Sequence, residues 1–301
     1  MEVEKRIEST DGYFKFIGAF TSSCSEGPKI YYQHWQPKKM SEKCIHLVIV
    51  HDLGSYHARY INLAKYLVKN CELEVAISFI DLLGHGLSGG ERCYTSNFDN
   101  YCHDLSTLLK QRSSKNNFSK EYVLGDGLGA LVTLKLMKDF ESSLKPTING
   151  IVLINPFIKI DLLKNFVKSL IYININQKFD KIRVDRNFRG KDITNCTVES
   201  DLYDSDPLIS DFYTVGLLRE LNNASKSIRS FSYFIEIPSL VLLSDETILA
   251  DYDVNLLFFK GMCPSFAEIL KYKNKKHNIL NDEEKESVYN DICNWLTKST
   301  I

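Results

Sequence analysis

"EYVLGDGLGALVTLKL", residues 121–136, runs from a short apolar segment through three alternating glycines into a helix-period pattern. Gly125, Gly127 and Gly129 stand at the bend. A chain that folds back sharply from a strand into a helix needs small residues two before and two after the apex, where its limbs pass close together. Gly125 and Gly129 fit those two places, which puts Gly127 at the apex. On its own the stretch reads equally well as a glycine-rich βα turn, so its meaning depends on the rest of the chain.

On either side of the bend, short apolar runs alternate with helix-period segments. "IYYQHW" (30–35), "HLVIV" (46–50), "VAISFI" (75–80), "YVL" (122–124), "IVLI" (151–154), "SLVLL" (239–243) and "EILKY" (268–272) read as strands. Their continuous apolar character predicts strands covered on both faces, the habit of a parallel sheet. Tyr60, Leu63, Ala64, Leu67 and Val68 share one helical stripe, and Phe98, Tyr101, Leu105, Leu108 and Leu109 share another. Val288, Ile292, Trp295 and Leu296 form a third, opened by Asn281 with Glu284 at capping-box spacing. The alternation predicts one doubly wound α/β domain. Residues 157–232 break it with two helix-like pieces around a polar stretch, and read as a helical insertion over the carboxyl edge of the sheet. The expected organisation is a core of residues 1–156 and 233–301 with a helical cap of 157–232 between its parts.

Composition narrows the function classes. The chain has 301 residues, 44% hydrophobic and 25% charged, which is ordinary for a globular protein. A net charge of −1 argues against nucleic-acid binding, which needs a strong positive field. No apolar run approaches the ~20 residues that span a bilayer, and the charged start "MEVEKRIEST" shows no signal peptide. The eight cysteines are scattered, with no CxxC pair and no metal-ligand spacing. They predict reduced thiols in a cytoplasmic protein. No cofactor or metal motif is visible.

Further segments carry a family resemblance. "IVHDLGSYHARYINLAKYL" (49–67) resembles the HG-x-G segment that follows the third strand of α/β-hydrolases. "FIDLLGHGLSGGERCYTSNFDNYCHDL" (79–105) resembles the D-x-x-GHG-x-S-x-GxR signature of the monoglyceride lipase and lysophospholipase group, of the serine aminopeptidase S33 type. "LYDSDPLIS" (202–210) is similar to that group's cap, and "HNILND" (277–282) to the segment around its catalytic histidine. The resemblance implies an α/β-hydrolase fold, with a mostly parallel central sheet flanked by helices and a helical cap. It also implies a Ser…Asp…His triad in chain order.

Carried over position by position, that triad is degenerate. The nucleophile position is Gly127, which has no side chain, and the acid position is Thr247 within "SDET". The base position is retained as His277. The resemblance assigns the oxyanion donors to the backbone N–H groups of Leu53 and Leu128, but Asp52 replaces the glycine expected after His51. A carboxylate there opposes the negative charge that acyl transfer develops. Asp126 at the apex would put Leu124 and Leu128 at the flanks, where small residues are required, so the register disfavours it as nucleophile. Asp245 and Asp251 remain as surrogate acids.

The leading expectation is therefore a catalytically inactive pseudohydrolase that keeps a pocket for a monoacyl lipid or fatty-acyl ligand. "LLKNFVKSLIYI" offers peripheral membrane contact through the cap, with Lys164 and Lys168 on one helical face and Phe166, Val167, Leu170 and Ile171 as apolar area. The same pattern also fits an ordinary cap helix. Two other readings stand beside the first: a scaffold for a protein partner, and an active ester hydrolase with a non-standard mechanism centred on His277.

Overall fold

The computed structural model describes residues 3–8, 12–22, 27–139, 147–160 and 179–300. Strand β6 (Glu121–Asp126) lies in the middle of a nine-stranded sheet, between β4 (Ile45–Val50) and β7 (Gly150–Ile154). On one side β10 (Ser239–Ser244) and β11 (Ala267–Tyr272) continue in parallel, and on the other β5 (Val75–Ile80) does the same. Beyond β5, three antiparallel strands finish the edge: β3 (Lys29–Pro37), β2 (Tyr13–Thr21) and β1 (Val3–Glu8). The order is β1-β2-β3-β5-β4-β6-β7-β10-β11. All seven strands expected from the sequence are present, and β1 and β2 are added to them.

Alternation along each strand explains the continuous apolar runs. Ile45, Leu47 and Ile49 of β4 point to one face, and Val48 and Val50 to the other. The first face packs on α1 (Ile61–Asn70) and on the closing helix α8 (Lys285–Thr300), through Leu63, Leu67, Ile292 and Leu296. The second packs on α2 (Asp99–Lys115), α3 (Leu128–Asp139) and α6 (Val215–Ile228), through Leu105, Leu131 and Leu218. The expected stripes are the buried faces. The expected cap of α8 is corrected: Asn281 sits buried in a short 3-10 turn (Ile279–Asn281), and the helix begins at Lys285.

Between β7 and β10 lie the short helices α4 (Gly190–Ile193) and α5 (Thr197–Ser205), then α6, whose first turn is capped by the Thr214 hydroxyl. A small antiparallel pair joins them, β8 (Arg183–Asp185) with β9 (Phe212–Thr214). The amphipathic stretch with Lys164, Phe166, Val167, Lys168, Leu170 and Ile171 lies outside the described residues. The described part of this region is fastened to the core. Glu199 pairs with Arg59 at 3.1 Å and Lys285 at 2.9 Å, and Tyr56 donates to Asp206 at 2.7 Å. The remaining helix, α7 (Tyr252–Lys260), follows β10.

Cys71, just after α1, and Cys293 of α8 are joined by a disulfide, with Cα atoms 5.5 Å apart. This corrects the expectation of eight free thiols, since a pairing across 222 residues has no local sequence signal. No helix among the described residues is long and apolar enough to cross a membrane.

The close pass of β4 and α3 makes a direct prediction. A Cβ on Gly129 would overlap the Val50 carbonyl and come within 3.0 Å of the His51 carbonyl, both backbone groups that cannot rotate away. Gly129→Ala gains about 1 kcal/mol in helix propensity, but overpacking of this kind costs ~1–3 kcal/mol and more against rigid backbone. The expected outcome is a net loss of stability, read from the midpoint of urea unfolding.

Candidate functional site

The bend between β6 and α3 has the form that its glycines require. Gly127 takes φ = +46°, in the left-handed region where a β-carbon is strained. Gly125 and Gly129 pass so close that a Cβ on the first would lie 2.5 Å from the carbonyl carbon of the second. The Gly127 N–H donates to the Ile154 carbonyl at 2.9 Å, which ties the apex to β7. Leu128 then begins the helix with its N–H turned to the site. The other participants come from loops at the carboxyl ends of neighbouring strands: Asp52 after β4, Thr247 after β10 and His277 after β11. That edge is where open α/β sheets place their ligands.

Asp52 is the decisive side chain. Its Oδ1 accepts the Leu128 N–H at 3.0 Å and its Oδ2 lies 3.0 Å from His277 Nε2. A Cβ built on Gly127 would overlap Asp52 Oδ1 and come within 2.5 Å of its Cγ. The carboxylate therefore stands where the side chain of a nucleophile would begin. On its other side, His277 Nδ1 meets the Thr247 hydroxyl at 2.7 Å. Phe157 stacks on the imidazole with ring centroids 6.0 Å apart. Asn155, itself at φ = +40°, donates to the His277 carbonyl at 2.7 Å and accepts the Ser244 N–H at 2.9 Å, so it joins β7, β10 and the histidine loop.

A second carboxylate stands behind the first. Asp126 is 4% exposed and accepts the Tyr60 hydroxyl at 2.9 Å on Oδ2, while its Oδ1 has no hydrogen-bond partner. The Tyr60 oxygen in turn accepts the Asp52 N–H at 2.9 Å. Burial pushes the Asp52 carboxyl up, but the His277 imidazole and the N–H groups of Leu53 and Leu128 outweigh burial and hold it below the ordinary carboxylate range. Burial pulls His277 down, and the Asp52 charge outweighs that, leaving its pKa raised. Asp126 is pushed up to about 7, first by burial and then by the Asp52 charge. Asp52 and His277 thus favour each other's charged forms, and Asp126 beside them is held toward its protonated form. One ligand atom from each of Asp52, Asp126 and His277 falls within 4.8 Å of the others, which makes them the group that could hold a metal ion among the described residues.

The structure brings Gly127, Thr247, His277, Leu53 and Leu128 together at the carboxyl edge of the sheet. The surrogate acids are corrected. Asp251 caps α7 through the Val254 N–H and pairs with Lys159 at 2.6 Å, while Asp245 is solvent-exposed. Neither side chain is among the hydrogen-bond partners of His277. The sequence marked Asp52 only as an unfavourable neighbour and gave no role to Asp126, Tyr60 or Asn155. The one signal for Asp52 was the replaced glycine of its motif. The cavity bounded by Asp52, Tyr60, Asp126, Ile193, Tyr203 and His277 measures about 20 Å³. That is room for roughly one water or ion, and far less than an acyl chain fills.

The sequence profile of a family described as Serine aminopeptidase, S33 matches residues 41–284. A monoglyceride lipase homolog of Monkeypox virus is 23% identical over 275 residues, covering 89% of this chain and 94% of that protein. Rat monoglyceride lipase is 25% identical over 284 residues, covering 91% and 88%. Against an uncharacterized Escherichia coli protein, YnbC, the identity is 20% and the chain spans 46% of its length. The crystal structure of a soluble variant of the Saccharomyces cerevisiae monoglyceride lipase, in complex with a substrate analog, superposes with a TM-score of 0.80 at 17% identity. It covers 93% of this chain and 95% of that one, and shows a shared fold.

Two predictions follow from the geometry. The Gly127 hydrogen and the Asp52 carboxylate occupy complementary space, so a double-mutant cycle should reveal coupling. Gly127→Ser alone is expected to lose about 2 kcal/mol or more from overlap and left-handed strain, and distinctly less in an Asp52→Gly background, read by urea unfolding. The second concerns pH. In the folded chain Asp126 titrates near 7 rather than its ordinary 3.8, and His277 is raised above 6.5. These two groups therefore contribute stability that is lost as pH rises through their folded pKa values, while buried His34, His46, His51 and His85, all held below 6.5 by burial, contribute in the opposite sense. The measurement that isolates Asp126 is the difference in melting temperature between the unaltered chain and Asp126→Asn, which should shift in the variant's favour from about pH 5.5 to about pH 8.5.

Proposed function

The chain belongs to the serine aminopeptidase S33 family, and from that premise we propose that it is a monoglyceride-lipase-like member without acyl-transfer activity, its centre closed by its own aspartate. One observation carries the reading: the Asp52 carboxylate lies where a side chain on residue 127 would begin. Serine acyl transfer needs an attacking oxygen, a base within reach and donors for the oxyanion. Here the apex bears only a hydrogen. The base, His277, is already paired with Asp52, and the Leu128 N–H is already accepted by the same carboxylate. A carbonyl oxygen entering that place would have to displace a buried ion pair and then develop negative charge beside it. Removal of the nucleophile alone costs about 10⁶ in turnover in a serine protease.

The acid position points the same way. Thr247 orients the imidazole through a hydrogen bond of 2.7 Å but brings no charge to it. The charge that stabilises a protonated His277 comes instead from Asp52 on the opposite nitrogen, where a nucleophile's proton would have to arrive. The cavity of about 20 Å³ among the described residues favours a ligand the size of an ion in this reading, and neither Asp245 nor Asp251 is a hydrogen-bond partner of His277. The reading kept is a fold whose centre is structural or ligand-binding instead of hydrolytic.

The test is labelling with a fluorophosphonate probe, together with turnover of p-nitrophenyl esters and monoacylglycerols. The chain should give no labelling and no turnover above background, and Gly127→Ser alone should restore little. The combined change Asp52→Gly, Gly127→Ser and Thr247→Asp should gain labelling at residue 127, because it reopens the space and returns the acid. Turnover by the unaltered chain that disappears in His277→Ala would overturn the proposal.

A further inference from the structure

We propose that Asp52, Asp126 and His277 form a binding site for one divalent transition-metal cation of the zinc class. The proposal rests on the same placement of Asp52 that closes the acyl-transfer centre, and gives that centre a ligand. Three distant segments converge there, and one ligand atom from each lies within 4.8 Å of the others. A neutral imidazole and two carboxylates make a donor set of nitrogen and oxygen that suits zinc, cobalt(II), manganese or iron(II), and their two negative charges balance the cation.

What separates this cluster from a chance gathering of acids is the way each member is held. His277 Nδ1 faces the Thr247 hydroxyl at 2.7 Å, so an Nδ1–H donated there leaves the lone pair of Nε2 directed at the carboxylates. Asp52 Oδ1 is engaged by the Leu128 N–H, and Oδ2 is the oxygen that looks toward His277. Asp126 Oδ2 accepts the Tyr60 hydroxyl. Its other oxygen, Oδ1, has no hydrogen-bond partner, on a residue only 4% exposed. The Gly127 N–H beside it donates to Ile154. A buried carboxylate oxygen without a partner is costly, and a cation between it and its two neighbours would satisfy it. The adjoining cavity of about 20 Å³ has room for a cation or one water. Three protein ligands with a water in the fourth place is the pattern of open zinc sites. The change from acid to Thr247 fits this role, because a hydroxyl fixes the tautomer of His277 without adding a third negative charge.

The experiment is titration of the chelator-stripped full chain with cobalt(II), followed by visible absorption, calorimetry and melting temperature. One cobalt per chain is expected, with the ligand-field bands of a four- or five-coordinate site, a raised melting temperature and displacement by zinc. Asp126→Asn keeps the shape and the Tyr60 contact but loses the ligand charge, and should weaken binding at least about tenfold with far-UV circular dichroism unchanged. Asp52→Asn is a second variant with the same expectation. Thr247→Val, which removes the partner of Nδ1, should weaken binding by about tenfold, and Thr247→Ser should restore it. Absence of the bands, or affinity in the Asp126→Asn and Asp52→Asn variants equal to that of the unaltered chain, would overturn the site. Fluorophosphonate labelling of the same metal-free sample separates the two proposals: labelling there removes the closed-centre reading and leaves the cobalt result to stand or fall alone.

Discussion

The Asp52–His277 pair, held 3.0 Å apart over the glycine bend between β6 and α3, is the contact around which the centre is arranged. A carboxylate at that place needs donors, and it finds the Leu128 N–H at the start of α3 and the imidazole of a loop on the far side of the sheet. It also needs room, and only a glycine at the apex leaves it. Gly127 and Asp52 are therefore two halves of one substitution in physical terms. A side chain restored at 127 alone meets the Asp52 carboxylate in the same space, and a glycine restored at 52 alone leaves that space empty.

The surrounding parts conform to that arrangement. With Asp52 on Nε2, His277 no longer needs a carboxylate on Nδ1, and Thr247 serves as an uncharged acceptor there. Tyr60 links the two aspartates, accepting from the backbone of one and donating to the carboxyl of the other. Asn155 and Phe157 fix the histidine loop from β7, and the capping region closes over it through the Asn278 N–H to the Ile193 carbonyl and the Thr194 hydroxyl to the Asn281 carbonyl. A site shaped this way leaves a cavity of about 20 Å³ among the described residues. It retains a small, charged, well-supported centre with one carboxylate oxygen left unpartnered.

Much of the fold was legible because the central strands are buried on both faces. The interior runs of β4, β5 and β6 are apolar on both faces except at buried His46 and Ser78, and no helix-period pattern competes with them. Strand β2 was missed for the opposite reason. It lies in the antiparallel part near the sheet edge, mostly half-buried, with Lys15 and Gly18 interrupting its pattern, so its contrast between faces is weak. The start of α8 was misplaced because Asn281 makes its hydrogen bonds to Asn278 and Thr194, and a capping signature does not show which partner will win.

The sequence alone determined the strand–helix bend and its glycine apex, since both depend on residue type at a place set by local spacing. It also determined seven of the nine sheet strands, because their burial is written in hydrophobic pattern. What only the tertiary structure decided was where the charges lie. Asp52 could have pointed to solvent or into the centre, and Asp245 or Asp251 could have reached the histidine. Those outcomes turn on ångström-scale directions of side chains brought together from remote segments, and no periodicity in a single chain encodes them.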